Sequence, residues 1–522
     1  MSSSTTIPPV PSSQPFTLGR LLSSVMPVVS LVPVVPEALA LARIGFGAVL
    51  FASLVDPLRN APAFYSDQGF LPRSKMFDLV RSSHYSIFDA SGVPAVATLL
   101  VVAAMVAALA FTVGYRTRLA TFASFVLVSG LAERNLYVCD GHDTVNRVML
   151  AWFLFVPMGA RYSVDAVLRR RQGLPPEACR WRLPAVLAQF QVAWVYFDAC
   201  LSKLQVPAWR SGTAVGEVLF SHAARPLGVT LRDVAPFVRW ATYGTLAFEG
   251  LFLLLVISPL ATVALRRIAV ASAVAFHLAA APFLHVGWLP AVMVPLLALY
   301  LDAPLAQKIA RFLHLDRLER GAASAPPWPD STPVSRPFFA AALVTVAVCV
   351  VWTSLPKELV EGTALEAPPS VSWAVESLEL WQSWDMFAPV RPEASMTLVA
   401  HGHTRAGALV NVLAGRDDSH GALIPVRDPR WARVRESLVA ENSPYLLEFG
   451  RFLCRQWNDE VPHEKSDDLM TFTMVRRTET RDGTNEHAIW QHQCFDLRAD
   501  EAKPAAVAVN VLPHAEEPTS HL

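Results

Sequence analysis

Long apolar stretches separated by short polar breaks occupy the first two thirds of the chain, and a mixed pattern follows. A helix needs about 20 mainly apolar residues to cross the hydrocarbon core of a bilayer. Nine stretches approach this, near 37–56, 93–113, 118–138, 145–160, 184–206, 239–262, 267–285, 288–304 and 337–356; the fourth and eighth are short. Beyond residue 357 the periods shorten. "MTLVAHGH" and "GALVNVLAG" alternate as strands do. Residues 431–459 read as helix broken near Asn442–Pro444. "DDLMTFTMVRRTET" and "NEHAIWQHQCFDL" read as two further strands joined by the turn "RDGTNE". The pattern predicts an all-α polytopic membrane bundle of about nine transmembrane helices with a small C-terminal α+β extramembrane domain. Its boundaries fall at 1–35, a Ser/Pro-rich segment that is disordered and then, over 21–35, lies along the membrane; at 36–356, the transmembrane domain; and at 357–522, the outer domain.

Composition agrees with a membrane protein. Of 522 residues, 53% are hydrophobic and 17% charged, with a mean hydropathy of +0.35; soluble domains carry about 25% charged residues. Lys+Arg and Asp+Glu are both 44, so no basic excess points to nucleic acid. The distribution of charge says more than its total. Alternate loops hold Arg116 and Arg118; Arg161, Arg169–Arg171, Arg180 and Arg182; Arg266 and Arg267; and Lys308, Arg311, Arg317 and Arg320. The positive-inside rule puts these loops and the N-terminus in the cytoplasm, and the C-terminal domain outside. Six cysteines show no CxxC spacing. Cys454 and Cys494 would face an oxidising compartment, as a disulfide or as two buried thiols.

Ionisable groups inside spanning segments are costly and mark functional positions. His142, Asp143, Asn146 and Arg147 sit at the outer end of the fourth span, with Asp143 and Arg147 spaced to pair on one helix face. The fifth span ends "YFDACLSKLQVPAW". Here Lys203 shares a face with Tyr196, Ala199 and Cys200, and Asp198 shares another with Gln191 and Ser202. Helical geometry separates Asp198 from Lys203 by about 140°. Snorkelling to the headgroups is the bland reading of Lys203, and helix packing that of Asp198. Glu249 lies too deep in the sixth span to snorkel, so it is protonated or partnered by a cation. His277 in the seventh span is a buried hydrogen-bonding group or a ligand-binding one. With this topology His142, Asp143, Arg147, Lys203 and His285 fall toward the outer side, near the loop "YSDQGFLP", which suggests one outward-opening polar cavity beneath the C-terminal domain. P-loop, GxGxxG, HExxH and GxSxG patterns are absent from the sequence, which argues against ATPases, zinc proteases and α/β-hydrolases. His401 and His403 alternate onto one strand face without a third ligand nearby, and read as a solvated face.

Several segments resemble one family in order. "YSDQGFLPR" is similar to its Tyr-Ser-Asp-x-Gly-x-Leu-Pro loop, and "GYRTRLAT" to its second cytoplasmic hairpin. "DGHDTVNRVMLAWFLFVPMGARYSVDA" resembles its Gly-Gly-Asp-x-x-x-Arg helix and the Ser-x-Asp that follows. "YFDACLSKLQVPAWRSGTA" resembles its lysine segment, and "LELWQSWDMFAP" its Trp-x-x-Trp-x-Met-Phe-Ala-Pro signature. The family is HTTM (horizontally transferred transmembrane), related to vitamin K-dependent gamma-carboxylase, and the resemblance covers roughly 36–395. It implies an enzyme that uses reduced vitamin K or another quinone, with O2 and CO2 as co-substrates. Lys203 matches the lysine taken to deprotonate the quinone, and His142 a histidine of the fourth span. Glu249 and His277 fall on family-like stretches. Ser202 stands where the animal enzyme has a further lysine, and His142 replaces the second glycine of the fourth-span motif.

Two functions follow as expectations. One is an integral-membrane enzyme with Lys203 as catalytic base, and His142, Asp143, Arg147, Tyr196, Glu249 and His277 around the substrate or quinone. It would carboxylate or otherwise modify a protein or peptide at the outer face, with the lipid bilayer and a lipid-soluble quinone as partners. No metal is expected. The other is a non-catalytic membrane protein, a lipid or quinone binder or a transport, export or immunity accessory, whose polar groups hold helices together.

Overall fold

The computed structural model describes residues 34–79, 85–175, 177, 182–221, 223–258, 260–319, 337–377, 380–388, 394–414, 428–439, 443, 445–459, 464–480 and 483–495. The first helix, α1 (Pro36–Ser53), continues through a short turn to Arg59. It is followed by α2 (Pro94–Val113), α3 (Thr117–Arg134), α4 (Gly141–Phe153), α5 (Leu183–Gln205), α6 (Ala235–Ile257), α7 (Thr262–Ala280), α8 (Leu289–Leu296), α9 (Ala303–Phe312) and α10 (Pro337–Ser354). Proline at the first or second position starts α1, α2, α5, α6, α8 and α9, where a missing N–H costs nothing. Gly114 ends α2 with φ 71°; a side chain there would also collide with Ser163 and Arg43.

Among the described residues five helices are long and apolar enough to cross a membrane, not nine: Pro36–Arg59, α2, α5, α6 and α7. The protein is an integral, multi-pass membrane protein. The other four stretches fall short for separate reasons. α3 carries Thr117, Thr121, Ser124, Ser129, Glu133 and Arg134, and turns most of them inward, with Ser124 and Arg134 fully buried. α4 stops after 13 residues, ahead of Pro157. α8 contains Pro295 and passes into a 3-10 turn at Leu297–Tyr300. The apolar part of α10 described, Ala342–Ser354, is too short. Arg266 and Arg267, expected in a loop, lie inside α7, where Arg266 donates to the carbonyl of Val256. The segment expected to lie along the membrane, 21–35, falls outside the described residues except for its last two.

Buried Arg43 of α1 ties the bundle's other end. It donates to the carbonyls of Thr112, Met158, Arg161 and Tyr162 at 3.3, 2.9, 3.2 and 2.6 Å. These acceptors sit where α2 and the chain after α4 leave regular hydrogen bonding, so one guanidinium satisfies several orphan carbonyls.

The C-terminal region is mixed α and β. Strands β1 (Ala394–Thr404), β2 (Leu409–Asn411), β3 (Leu469–Thr480) and β4 (Gly483–Gln493) form an antiparallel sheet in the order β2-β1-β3-β4. "GALVNVLAG" supplies only the three residues of β2, and β4 begins at Gly483, so Thr484–Glu486 pair in the ladder rather than form the expected turn. The region 431–459 forms two helices, α11 (Pro429–Val439) and α12 (Leu446–Asn458); most of the expected break lies outside the described residues. A disulfide joins Cys454 of α12 to Cys494 just after β4. This region docks on the transmembrane bundle. Trp431 packs on Phe64, Phe70 and Phe452, and Arg455 donates to the carbonyls of Gln68 and Gly69 in the loop Tyr65–Pro72.

Candidate functional site

The seven candidate residues fall into two clusters. The first is built by α5, α6 and α7. Gly250 lets α6 approach α5 closely, since a Cβ there would meet Cys200 Sγ at 3.2 Å. Small residues allow such contact between spanning helices. The neighbouring Glu249 thereby reaches Lys203, and Nζ donates to Oε1 at 2.8 Å. Both side chains are buried, Lys203 to 3% exposure, so the lysine does not snorkel. Its amine also lies 5.4 Å from the centre of the Trp209 ring. The cation that Glu249 required is Lys203; its second oxygen, Oε2, is buried without a hydrogen-bond partner. Seven residues before Lys203, on the same face of α5, the Tyr196 hydroxyl shares a 2.8 Å hydrogen bond with His277 Nε2 of α7. Phe248 and Phe252 pack on the Tyr196 ring, with centroids 5.1 and 4.7 Å away.

The second cluster surrounds the start of α4. Asp140 caps this helix in a reciprocal box with Asp143: Asp140 Oδ1 accepts from His142 N, and Asp143 Oδ2 from Asp140 N. His142 Nδ1 is hydrogen-bonded to Asp140, while Nε2 is buried without a partner, 3.5 Å from Asp143 Oδ1. Burial disfavours the imidazolium, but Asp143 and Asp140 outweigh it and hold the ring above the ordinary histidine range. Asp143 and Arg147 do not pair, contrary to their spacing. Asp143 accepts from Arg430 of α11 at 3.0 and 3.3 Å, and Arg147 donates to Glu133 of α3 at 3.0 Å. Tertiary partners with better geometry outcompete an i,i+4 contact worth a few tenths of a kcal/mol. Burial acts against the Arg430 charge, and Asp143 overrides it, keeping the guanidinium protonated.

Asp140, His142 and Asp143 offer one donor each within 4.8 Å of one another, the spacing of a metal site. The two carboxylates are already engaged, Asp140 by the histidine ring and Asp143 by the Arg430 guanidinium, whose charge opposes a metal ion, and of the three residues' donors His142 Nε2 is left open. A cavity of about 10 Å³, the size of one water, lies between Tyr65, Asp143, Asn146 and Arg430. The Tyr65 hydroxyl and Asn146 Oδ1 are buried without protein partners. The lining includes Asp143 but not Lys203, Tyr196, Glu249 or His277, so this cavity does not unite the two clusters as the sequence suggested.

What they share is the segment 380–388, a strap that is neither helix nor strand and ends in a turn at Met386–Phe387, after the last apolar helix. Arg147 donates to its Trp381 carbonyl, and Met386 lies against Gly141. On the α5 side, Gln191 Nε2 donates to Gln382 Oε1 at 2.7 Å, Trp384 Nε1 donates to the same oxygen at 2.6 Å, and Trp209 Nε1 donates to the Phe387 carbonyl at 2.8 Å. Asp198 also faces this strap, at 0% exposure. His285, expected at the outer mouth, is exposed on the chain between α7 and α8.

Reading the sequence alone missed Arg430, Tyr65 and the strap's role. "DPRW" carried a signal: Asp428 caps α11 ahead of Pro429, accepting from the N–H of Arg430 and Trp431. Nothing local marked Arg430 as the partner of a residue 287 positions away.

No curated protein and no solved structure matches the chain. The family model of the HTTM domain matches residues 32–304, just over half of the 522-residue chain. Its extent takes in both clusters apart from Arg430 and the strap, and the chain belongs to the HTTM family.

Proposed function

We propose that this HTTM protein is an integral-membrane enzyme of the vitamin K-dependent gamma-carboxylase type, which uses a reduced quinone and Lys203 as its base. The observation that carries the reading is the buried Lys203–Glu249 pair beside the Tyr196–His277 hydrogen bond. The donor set fits a quinone. Glu249 Oε2 is an orphaned buried acceptor, and Tyr196, Phe248 and Phe252 form an aromatic wall. Only 28% of the residues in the apolar 18-residue stretch of α6 and 22% of those in that of α7 are buried in protein, so a lipid-soluble ligand can approach these helices from the bilayer. By resemblance, a reduced quinone supplies a hydroxyl proton and, with O2, the driving force for removing a carbon-bound proton before CO2 adds.

The chain's own residues handle the first proton. A proton moved from Nζ to Glu249 across 2.8 Å turns the ion pair into a neutral amine and a carboxylic acid. The amine can then accept a proton from a hydroxyl placed against it. Tyr196 and His277 can orient a second ligand oxygen. His142, Asp143 and Arg147 stand in the other cluster and act on the strap and the outer region. We place the N-terminus in the cytoplasm and the C-terminal region outside, where it meets a protein or peptide substrate. The Cys454–Cys494 disulfide supports an oxidising compartment for that region.

The test is purified protein in lipid nanodiscs with reduced naphthoquinone, O2 and labelled CO2. Wild type should incorporate label into peptide, and folded Lys203→Ala should not. The same ion pair favours a second reading, a non-catalytic staple between α5 and α6. That reading stands if wild type turns over no quinone and Lys203→Ala changes only stability.

A further inference from the structure

Trp209 is a buried side chain to which the proposed chemistry gives no task. Helix α5 ends at Gln205, and Val206 turns extended, as the residue before a proline prefers. A short helix, Pro207–Ser211, starts at once. Had α5 run on, Trp209 would lie about 9 Å further along the axis than Lys203 and about 120° round it. The break instead folds the indole back over the amine. Its ring centre is 5.4 Å from Lys203 Nζ, within the range of a cation–π attraction. Nζ is thus held from α6 by Glu249 Oε1 at 2.8 Å and from the short helix by the Trp209 ring. The short helix is itself clamped: Gly212 ends it at φ 84°, and the Tyr243 hydroxyl of α6 donates to the Arg210 carbonyl at 3.1 Å.

The edge of the same indole meets the strap. Trp209 Nε1 donates to the Phe387 carbonyl at 2.8 Å. Phe387 has φ 57°, a left-handed conformation uncommon outside glycine, and one that persists where the surroundings fix it. The turn around it is closed by Ala388 N, which donates to the Asp385 carbonyl at 2.7 Å. Met386, next to Phe387, lies against Gly141 at the start of α4, and the Trp381 carbonyl, earlier in the strap, accepts from Arg147. One indole therefore touches the amine with its face and, with its edge, the segment that also touches the second cluster. We infer that Trp209 is a positioning residue, which holds Lys203 Nζ in place and ties that placement to the seating of the strap. The inference rests on the reading of Lys203 as base. The indole exchanges no proton and acts by geometry, since a base must lie within hydrogen-bond reach of the proton it takes. A strap displaced from α4 carries the Phe387 carbonyl away from Trp209 and leaves Nζ with one fixed point instead of two.

Ultraviolet resonance Raman spectroscopy of the full-length protein in nanodiscs tests this without any quinone. The difference between wild type and Trp209→Phe isolates one indole among 14. Its N–H band should be that of a hydrogen-bonded donor. Its ring bands should move in Lys203→Met/Glu249→Leu, which removes the ammonium without stranding a carboxylate. Gln382→Ala, a change elsewhere in the strap, should shift the N–H band toward a weaker bond. Ring bands indifferent to the ammonium overturn the hold on Lys203, and an N–H band that is free in wild type or unchanged in Gln382→Ala overturns the tie to the strap. In the turnover assay Trp209→Leu, which loses both contacts, should lower kcat by about tenfold or more with KM unchanged. Trp209→Phe keeps a ring but not the strap bond, and should fall between Trp209→Leu and wild type. Wild-type kcat in Trp209→Leu, or a loss carried by KM alone, overturns the positioning role; wild-type kcat in Trp209→Phe overturns the tie. If Trp209→Leu does not fold, the Raman bands still decide. The expected bands in a wild type that turns over no quinone refute the carboxylase reading and leave the tie between Lys203 and the strap supported.

Discussion

Two side chains 46 residues apart, Lys203 and Glu249, make one unit, and its energetics differ from those of either alone. Removing one partner of a buried ion pair leaves an uncompensated charge and costs about 3–5 kcal/mol, while replacing both with apolar groups is close to neutral. Glu249→Leu should therefore lower the thermal midpoint in detergent sharply, and Lys203→Met/Glu249→Leu should recover most of it. A double variant as unstable as the single one would show that the pair is not the unit. His492 makes a different prediction. Its ring is buried beneath Gly450, where a Cβ would sit 2.7 Å from Nδ1. Burial, aided by Arg451, lowers its pKa to about 4. The folded state then holds it neutral while the unfolded chain protonates near the ordinary value of 6.5. Its contribution is present above about pH 6.5 and is lost as pH falls toward 4. Tryptophan fluorescence should show the C-terminal region weakening across that window, and His492→Phe should flatten the slope.

The strap 380–388 is the element with the most unusual setting. Non-helical backbone is tolerated beside spanning helices only where protein covers it, and Gln382 and Trp384 are both buried. Gln382 accepts from Gln191 and Trp384 through one oxygen. Gln382→Ala leaves both donors unpaired, at about 1–3 kcal/mol each, and should make the strap cleavable by protease at concentrations that spare wild type. The tryptophan-rich motif was visible in the sequence, but its path along α5 was not, because a segment that is neither helix nor strand carries no periodicity that names its neighbour. Helix α3 shows the reverse. Its pattern resembled a span, yet its polar positions face protein, and hydropathy alone does not report which way a polar residue points.

At the scale of the whole molecule, Arg430 joins Arg455 and Trp431 in docking the C-terminal region on the bundle, and a disulfide ties that region internally. Arg430 inserts beside the start of α4, donating to Asp143 and to the Val138 carbonyl. Arg430→Ala should cost about 3–5 kcal/mol by stranding Asp143 and should raise hydrogen exchange across 137–143. Arg430→Lys should rescue only part, since lysine lacks the planar fork. The Cys454–Cys494 bridge closes a 40-residue separation, worth about 4 kcal/mol on the chain-entropy estimate. Cys454→Ser should loosen α12 from β4 while the transmembrane bundle keeps its melting behaviour.

Local sequence pattern was enough for the membrane class, for five of the nine expected spans and for most of the strands of the C-terminal region. These rest on local quantities: hydropathy, period and the cost of a buried ion, which a window of residues contains in full. It also determined that Glu249 needed a cation or a proton. The tertiary structure alone decided that the cation is Lys203, that Asp143 belongs to Arg430 rather than Arg147, and that Asp198 faces the strap. Pairing across 46 or 287 residues depends on which helix faces meet. That is set by close packing at places such as Gly250, where the helices approach because no side chain keeps them apart.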